Sequence, residues 1–353
     1  MNNVLVNDFN IIGKTVEESE KFFGSRWLLT GATGLIGSYL LCFLSWLNET
    51  RFDGTMQFTV LSRGPINRED PMIGHLLMKK YITFVQKDLS EEFMLDSCDY
   101  DYVFHAASNA SPAKYVKDPI GTINTNIRAT QILLESFKGE AGLKRFMYVS
   151  SGEIYGSPDL SDVPTKETYI CKTDHLSSRS CYVESKRYAE TLCINYYNTY
   201  KIPVTIIRPV HIYGPGFKED DTRVWADFIK NAIRCEDIRI LSDGLSQRGF
   251  CYISDAVSQI MVILQKGSEG EAYNIGNSNA VTIRDLAETI KRYSGNNIGI
   301  IVERNLPDYL KMSPFISCPD VSKIRSLSSQ IICTDLDEGI KRIFEFYSKE
   351  RSV

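Results

Sequence analysis

Six short segments built almost wholly of apolar residues constrain the fold of this 353-residue chain more than any other feature. They are RWLLT (26–30), QFTVLS (57–62), ITFVQ (82–86), DYVFHAA (101–107), RFMYVSS (145–151) and VTIIRP (204–209). Stretches with helical spacing, Leu35–Leu47, Thr122–Phe137 and Tyr182–Tyr197, lie between most of them. A strand that is apolar throughout must be covered on both faces, so the pattern predicts a parallel sheet with helices above and below, a doubly wound α/β fold. Beyond Pro209 the pattern loosens into turn-rich sequence (HIYGPGFKEDD) and shorter elements, which predicts a smaller, discontinuous substrate domain. In the extension ahead of the first strand, residues 1–25, Thr15 and Glu18 read as the capping box of a short helix, TVEESEKFF.

Three glycines, Gly31, Gly34 and Gly37, stand where the first strand meets the first helix. Each glycine in regular structure costs about 1 kcal/mol, so the cluster needs a cause. A tightly packed turn is one; a diphosphate lying on bare backbone at a helix N-terminus is the other. The strand-turn-helix context favours the second and makes the fold Rossmann-type. It divides the chain into a dinucleotide-binding domain (26–209 with about 250–276) and a substrate-binding domain (about 210–249 with 277–353). After the second strand an acidic residue would suit a free ribose diol, yet the chain has Ser62 and Arg63. Arg63 suits a 2′-phosphate, a stacked adenine or plain solvent, so NAD and NADP both stay open. Asp88, after the third strand, is placed either to accept from an adenine amine or to form a turn.

A net charge of −4 argues against general nucleic-acid or anionic-membrane binding. No apolar run reaches the roughly 18 residues that span a bilayer, and MNNVLVNDFN is not a secretory signal. Nine cysteines without a CxxC pair and four unclustered histidines predict reduced thiols, no zinc site and a cytoplasmic enzyme.

In SCYVESKRYAE, Tyr182 and Lys186 stand four apart and share one helical face. An ammonium beside a phenol, with a cationic nicotinamide nearby, favours phenolate. Such a tyrosine takes a hydroxyl proton while the carbon gives up hydride. The strand-end Ser151 supplies a hydroxyl to hold the substrate oxygen.

With these motifs in order, the chain resembles the extended short-chain dehydrogenase/reductases that modify nucleotide sugars. The likeness runs over roughly residues 25–345, on TGATGLIG, HAAS, TNIRAT, YVSSGEIYG, CYVESKRYAE, RPVHIYGPG and RGFCYISDA. ASNASPAKYVKDPI, DTRVWADFI and SQRGFCYISD look most like UDP-glucuronate decarboxylases, with the sugar-nucleotide 4,6-dehydratases next. The resemblance implies that Gly31, Gly34 and Gly37 hold the pyrophosphate, with Leu35, Ile36, Ser62 and Arg63 also in the cofactor site. Asp88 and Leu89 would meet adenine, and Ala106 and Ala107 the nicotinamide ribose side, while Asn126 braces the sheet centre. Tyr182 would be the base for the sugar O4, partnered by Lys186 and helped by Ser151. Ser108, Ser111, His211, Arg223 and Arg248 would bind the substrate, the two arginines clamping its diphosphate.

Two positions depart from the family pattern. Gly152 stands where dehydratases carry Asp and decarboxylases Ser, and His211 where decarboxylases often carry Asn. Glu153 is kept, as an acid near C5. A C4 ketone acidifies the C5 proton and is β to a C6 carboxylate, which can leave as carbon dioxide without protonation of a leaving group. The leading expectation is therefore a redox-neutral lyase in polysaccharide biosynthesis that oxidises C4 and then eliminates, with NAD(P) recycled in each turnover. A 4-epimerase, a 4-keto-sugar reductase and a silent dinucleotide-binding scaffold are the alternatives. Family members pair helices equivalent to 122–137 and 182–197 across a two-fold axis. Second apolar faces here (Ile127, Ile132, Leu134; Tyr188, Leu192, Tyr196) predict a homodimer.

Overall fold

In the computed structural model, residues 2–171, 174–177, 179–306 and 313–348 are described. The six apolar segments all become strands: β1 (Arg26–Thr30), β2 (Gln57–Ser62), β3 (Ile82–Gln86), β4 (Tyr102–His105), β5 (Arg145–Val149) and β6 (Val204–Pro209). Short strands follow: β7 (Ile212–Tyr213), β8 (Ile238–Ile240), β9 (Gln247–Arg248), β10 (Cys251–Tyr252), β11 (Ala272–Ile275), β12 (Val281–Thr282), β13 (Ile300–Val302) and β14 (Ile316–Ser317). Seven strands form one sheet in the order β11-β6-β5-β4-β1-β2-β3, every neighbour parallel. Strand order reverses between β1 and β4, and the crevice beyond their carboxyl ends is where such sheets bind ligands. β4 and β5 end earlier than their apolar runs do. Ala106 turns in against Gly31, and Ser151 leaves the ladder to cap a one-turn 3-10 helix, Gly152–Tyr155.

Helices α1 (Asn3–Thr15), α2 (Leu35–Arg51), α3 (Pro112–Lys117), α4 (Pro119–Ser136) and α5 (Ser180–Tyr200) come in the first two-thirds of the chain. They are followed by α6 (Val224–Ile233), α7 (Ile253–Lys266), α8 (Ile283–Ser294), α9 (Ser322–Arg325) and α10 (Leu336–Ser348). One core lies under α1, α2 and α7 and extends to α6, α8 and α10; a second lies between the sheet and α4 and α5. α4 starts on Pro119 because Asp118 accepts from Gly121 N at 3.0 Å and proline suits the first turn.

The extension corrects the sequence reading. Thr15 ends α1 and donates to Ile12 O, while Glu18 pairs with Lys21, so no capping box forms. The helix begins instead at Asn3, capped by Asn2, whose side chain accepts from Val4 N at 2.9 Å. Its stripe of Val4, Leu5, Phe9 and Ile12 is buried in the main core, and that burial fixes the helix. Among the described residues no helix is long and apolar enough to cross a membrane.

Candidate functional site

At the end of β1 the chain turns through Gly31 (φ +70°), where a Cβ would stand 2.5 Å from the Ala106 carbonyl carbon. A Cβ on Gly37 would stand 2.4 Å from Gly31 O. Both glycines are thus required by close backbone contact. Gly34 caps α2 with no side-chain hydrogen bond, and the first turn holds no acidic residue. Its opening N–H groups, those of Leu35 and Ile36 among them, lack helical acceptors and carry the positive end of the helix dipole. This bare cradle fits a dinucleotide pyrophosphate.

The adenine side is less committed. Ser62 Oγ donates to Gly64 O at 2.8 Å and closes a local turn, with Arg63 exposed beside it. Asp88 Oδ1 accepts from Ser90 N (2.9 Å) and Ser90 Oγ (2.7 Å), which lowers its pKa and ties it into a turn. Leu89 is buried beneath it. Ala107 N donates to Thr30 Oγ1 at 3.2 Å, which fixes the loop over the switch point. Asn126 ties α4 to α5 through Ser185 Oγ (2.9 Å), a brace between helices more than within the sheet.

α5 carries Tyr182 and Lys186 on its buried face. Lys186 Nζ donates to Val149 O at 2.7 Å, and burial pushes the ammonium down to about 7 although Glu190 opposes the shift. Tyr182 is pushed up to about 12, first by burial and then by Glu153, while hydrogen bonding from Ser151 offsets part of the rise. The sequence reading had the lysine and a cationic nicotinamide together lowering the phenol, and the protein groups alone do not do so. Here Nζ lies 6.0 Å from the Tyr182 ring centroid and burial outweighs it. Ser108 Oγ lies close enough to ease the phenol but satisfies no hydrogen-bond geometry and is buried without a partner.

Glu153 begins beyond Ser151, whose Oγ accepts from Glu153 N at 3.2 Å. Its carboxylate is paired with Arg179, a residue the sequence reading missed, although three positions before Tyr182 puts it on the same side of the helix start. Arg179 Nη1 also donates to Ser313 Oγ at 3.0 Å. Arg248 donates to Gln247 O (2.7 Å) and Phe315 O (3.1 Å), and burial, aided by Arg179 and opposed by Glu153, brings it down to about 10.

His211 adopts φ +46°, a left-handed conformation that histidine tolerates better than most side chains. Burial first, then Arg248 and Arg223, hold its imidazole neutral at about 3, and its Nε2 is buried without a partner. Arg223 is already engaged: its Nε lies 3.0 and 3.1 Å from the Asp221 carboxylate, and its guanidinium lies 4.8 Å from the Trp225 ring centroid. To clamp a diphosphate it would have to share that partner. Ser111 Oγ and Thr222 Oγ1 are 3.1 Å apart on the rim.

Gly152 has a packing cause. A Cβ there would stand 2.5 Å from Val210 Cγ2, so no longer side chain fits without displacing Val210. Around this centre, Ser108 Oγ, Tyr115 Oη, Ser150 Oγ and His211 Nε2 are buried polar atoms without a protein partner. Such atoms are rare in folded proteins and fit a polar ligand.

A parallel sheet with a glycine cradle at its switch point and a Ser-Tyr-Lys set beside it defines a dinucleotide-dependent enzyme of the short-chain dehydrogenase type. A profile described as the NAD dependent epimerase/dehydratase family matches residues 27–276, and the chain belongs to that family. It is 32% identical over 324 residues to UDP-glucuronic acid decarboxylase 6 of Arabidopsis thaliana, covering 91% of this chain and 89% of that one. To UDP-glucuronic acid decarboxylase 1 of Xenopus tropicalis it is 29% identical over 330 residues, covering 92% and 72%. Among solved structures it is similar to UDP-glucose 4-epimerase of Thermotoga maritima with UDP-glucose. The TM-score is 0.78 at 25% identity, over 93% of this chain and 100% of that one. It shares its fold with UDP-glucuronic acid 4-epimerase of Bacillus cereus in complex with UDP-glucuronic acid and NAD (TM-score 0.76, 24% identity, 92% and 99% covered). The protein is an NAD-dependent nucleotide-sugar enzyme.

Proposed function

We propose that the protein decarboxylates a UDP-linked uronic acid by way of a C4 ketone. One observation carries this reading. Arg248, partly buried, feels Arg179 and Glu153, two guanidinium groups to one carboxylate. A buried positive excess is costly unless an anion meets it. A uronate C6 carboxylate would add an anion where the sugar ring lies, whereas the UDP diphosphate, common to uronate and hexose, does not distinguish the two.

Bound NAD+ supplies the hydride acceptor at C4 and gives the hydride back. Tyr182, steadied by Ser151, takes the O4 proton and later returns it. The cationic nicotinamide would draw the phenol down from about 12, the effect that neighbouring positive charge has on an acid. With C4 a ketone, the C5–C6 bond electrons flow into the carbonyl as carbon dioxide leaves. Arg248 and Arg179 orient the carboxylate across the ring, and Glu153 lies where a proton returns to C5. No acid on a leaving group is needed, consistent with Gly152. The 4-epimerase alternative stays in play because Ser151, Tyr182 and Lys186 alone suffice for it, and it would leave Glu153 without a task.

We take residues 26–209 with about 250–276 to hold the cofactor, and the remainder beyond 209 the nucleotide sugar. The nine cysteines form no disulfide among the described residues, which suits a reducing, cytoplasmic setting, and the chain is expected to act as a homodimer. Incubation with UDP-glucuronic acid and mass spectrometry test the reaction. Product lighter by about 44 mass units is expected. An unchanged mass would replace the reading with epimerisation, and deuterated solvent should label C5 only in the lyase.

A further inference from the structure

β2 ends on Ser62 and Arg63 follows it, and the reaction above uses neither. In a sheet of this kind the end of β2 faces the ribose of the adenosine half of the cofactor. An acid there accepts from the 2′-hydroxyl and repels a 2′-phosphate. This chain has no acid at that place. Ser62 is buried, its Oγ donates to Gly64 O at 2.8 Å, and its carbonyl accepts from Lys87 N at 2.8 Å, so the strand end is fixed. The first acid beyond it, Glu69, comes only after the turn in which Asp70 N donates to Asn67 O (3.1 Å) begins. The Asp70 carboxylate is taken up by Met72 N (2.9 Å) and Ile73 N (3.0 Å), and that of Asp88 by Ser90.

Arg63 is exposed, and among the described residues its guanidinium has neither an ion-pair partner nor a hydrogen-bond acceptor. Its charge bears on the Asp88 carboxylate across the ends of β2 and β3. A Cβ on Gly64 would meet nothing within 4 Å, so the turn leaves open space next to Arg63. A solvated arginine by itself means little. Beside an acid-free strand end and open space, its planar fork suits a phosphate. We infer that the protein binds NADP at least as tightly as NAD, with Arg63 holding the 2′-phosphate of the adenosine ribose. The inference rests on the glycine cradle and not on the decarboxylase reading. That phosphate lies at the opposite end of the cofactor from the nicotinamide, so Ser151, Tyr182 and Lys186 would serve either dinucleotide.

Competition reads the choice without turnover. The protein is equilibrated with equal, saturating NAD+ and NADP+ until the bound ratio is constant, then filtered and denatured. The released dinucleotides are counted by mass spectrometry. Bound NADP should equal or exceed bound NAD. Arg63→Ala should lower the NADP-to-NAD ratio about tenfold, the scale of a lost charged hydrogen bond. Ser62→Asp restores an acid and should lower the ratio by about a hundredfold, through like-charge repulsion. Because a ratio is read, a variant that partly unfolds still reports. A parent that retains mostly NAD would overturn the assignment. So would an unchanged ratio in Arg63→Ala, the result that an arginine stacked on adenine or merely solvated would give. A protein that retains neither dinucleotide would overturn the assignment together with the cofactor reading.

Discussion

At the scale of single residues, burial sets the chemistry of the site. Lys186 is held at about 7 against 10.5 for a free lysine. Between these values the unfolded chain keeps a proton that the native chain has released, so stability rises with pH across that window. Below about 7 the penalty is constant. Lys186→Met removes it, so near pH 6 the variant should resist denaturant better than the parent by a few kcal/mol, less the lost bond to Val149 O. The gap should close as pH approaches 10, and a pH-independent gap would show that the ammonium is not strained. The same variant should lose most of its activity, since Ser151 alone is then left to support the Tyr182 proton transfer. Gly152 makes a second case. Gly152→Ser overpacks against Val210 and should cost about 1–3 kcal/mol. Adding Val210→Ala opens the space, so the double variant should recover most of that loss. Coupling of about 1 kcal/mol or more in the denaturant midpoints is expected, and strict additivity would mean the two side chains do not meet.

At the scale of elements, the sheet was legible because its strands are apolar on both faces: β1, β2, β3 and β6 have the boundaries that composition alone indicated. β4 and β5 did not, because their ends are set by tertiary contacts with Gly31 and by the Ser151 cap. Gly31, Ser151, Tyr182 and Lys186 could be read from local motifs. Arg179 and the Gly152–Val210 contact could not, since each acts through a partner distant in sequence. The N-terminal helix was missed for a related reason. Its apolar stripe is short, and what secures it is remote: Asp8 accepts from Tyr39 Oη (2.6 Å), Tyr252 Oη (2.9 Å) and Arg342 Nη1 (2.8 Å). One carboxylate thereby joins α1 to α2, to the start of α7 and to α10. Asp8→Ala would leave two buried phenols without their acceptor and Arg342 with Glu338 alone, so a loss of about 2–5 kcal/mol is expected in chemical unfolding. NAD affinity should fall only slightly, because Tyr39 shares α2 with the glycine cradle but the close contacts of Gly31 and Gly37 are to Ala106 and within the turn, not to Asp8. A loss under 1 kcal/mol (about the value of an exposed ion pair) would mean that the carboxylate contributes no more than a surface contact.

At the scale of the whole molecule, the open question is what covers the outer faces of α4 and α5. Two of the six residues expected there belong to the chain's own core instead: Leu134 and Tyr196 are buried between the helices and the sheet. Ile127, Ile132 and Leu192 remain partly exposed, and Tyr188 is 53% exposed. An outward aromatic ring beside three half-covered aliphatic side chains on paired helices is the kind of face that a two-fold copy of itself buries. The expected particle in solution is therefore a homodimer, with α4 and α5 of each chain forming a four-helix contact. Light scattering at micromolar concentration should give twice the chain mass. Tyr188→Glu places a charge near the expected axis, where symmetry would set it close to its own copy in a poorly solvated contact. It should shift the mass to that of one chain while leaving the unfolding of the isolated chain within about 0.5 kcal/mol, as an exposed substitution does. A monomeric parent, or a variant that stays dimeric, would place the contact elsewhere or remove it. The active site gives the dimer a further consequence. α5 carries Tyr182 and Lys186 on its inner face and Tyr188 and Leu192 farther along, so separating the subunits loosens the helix that aims the catalytic phenol. Turnover per chain in Tyr188→Glu should therefore fall on dilution through the dissociation range, and constant turnover there would show that each chain is catalytically independent.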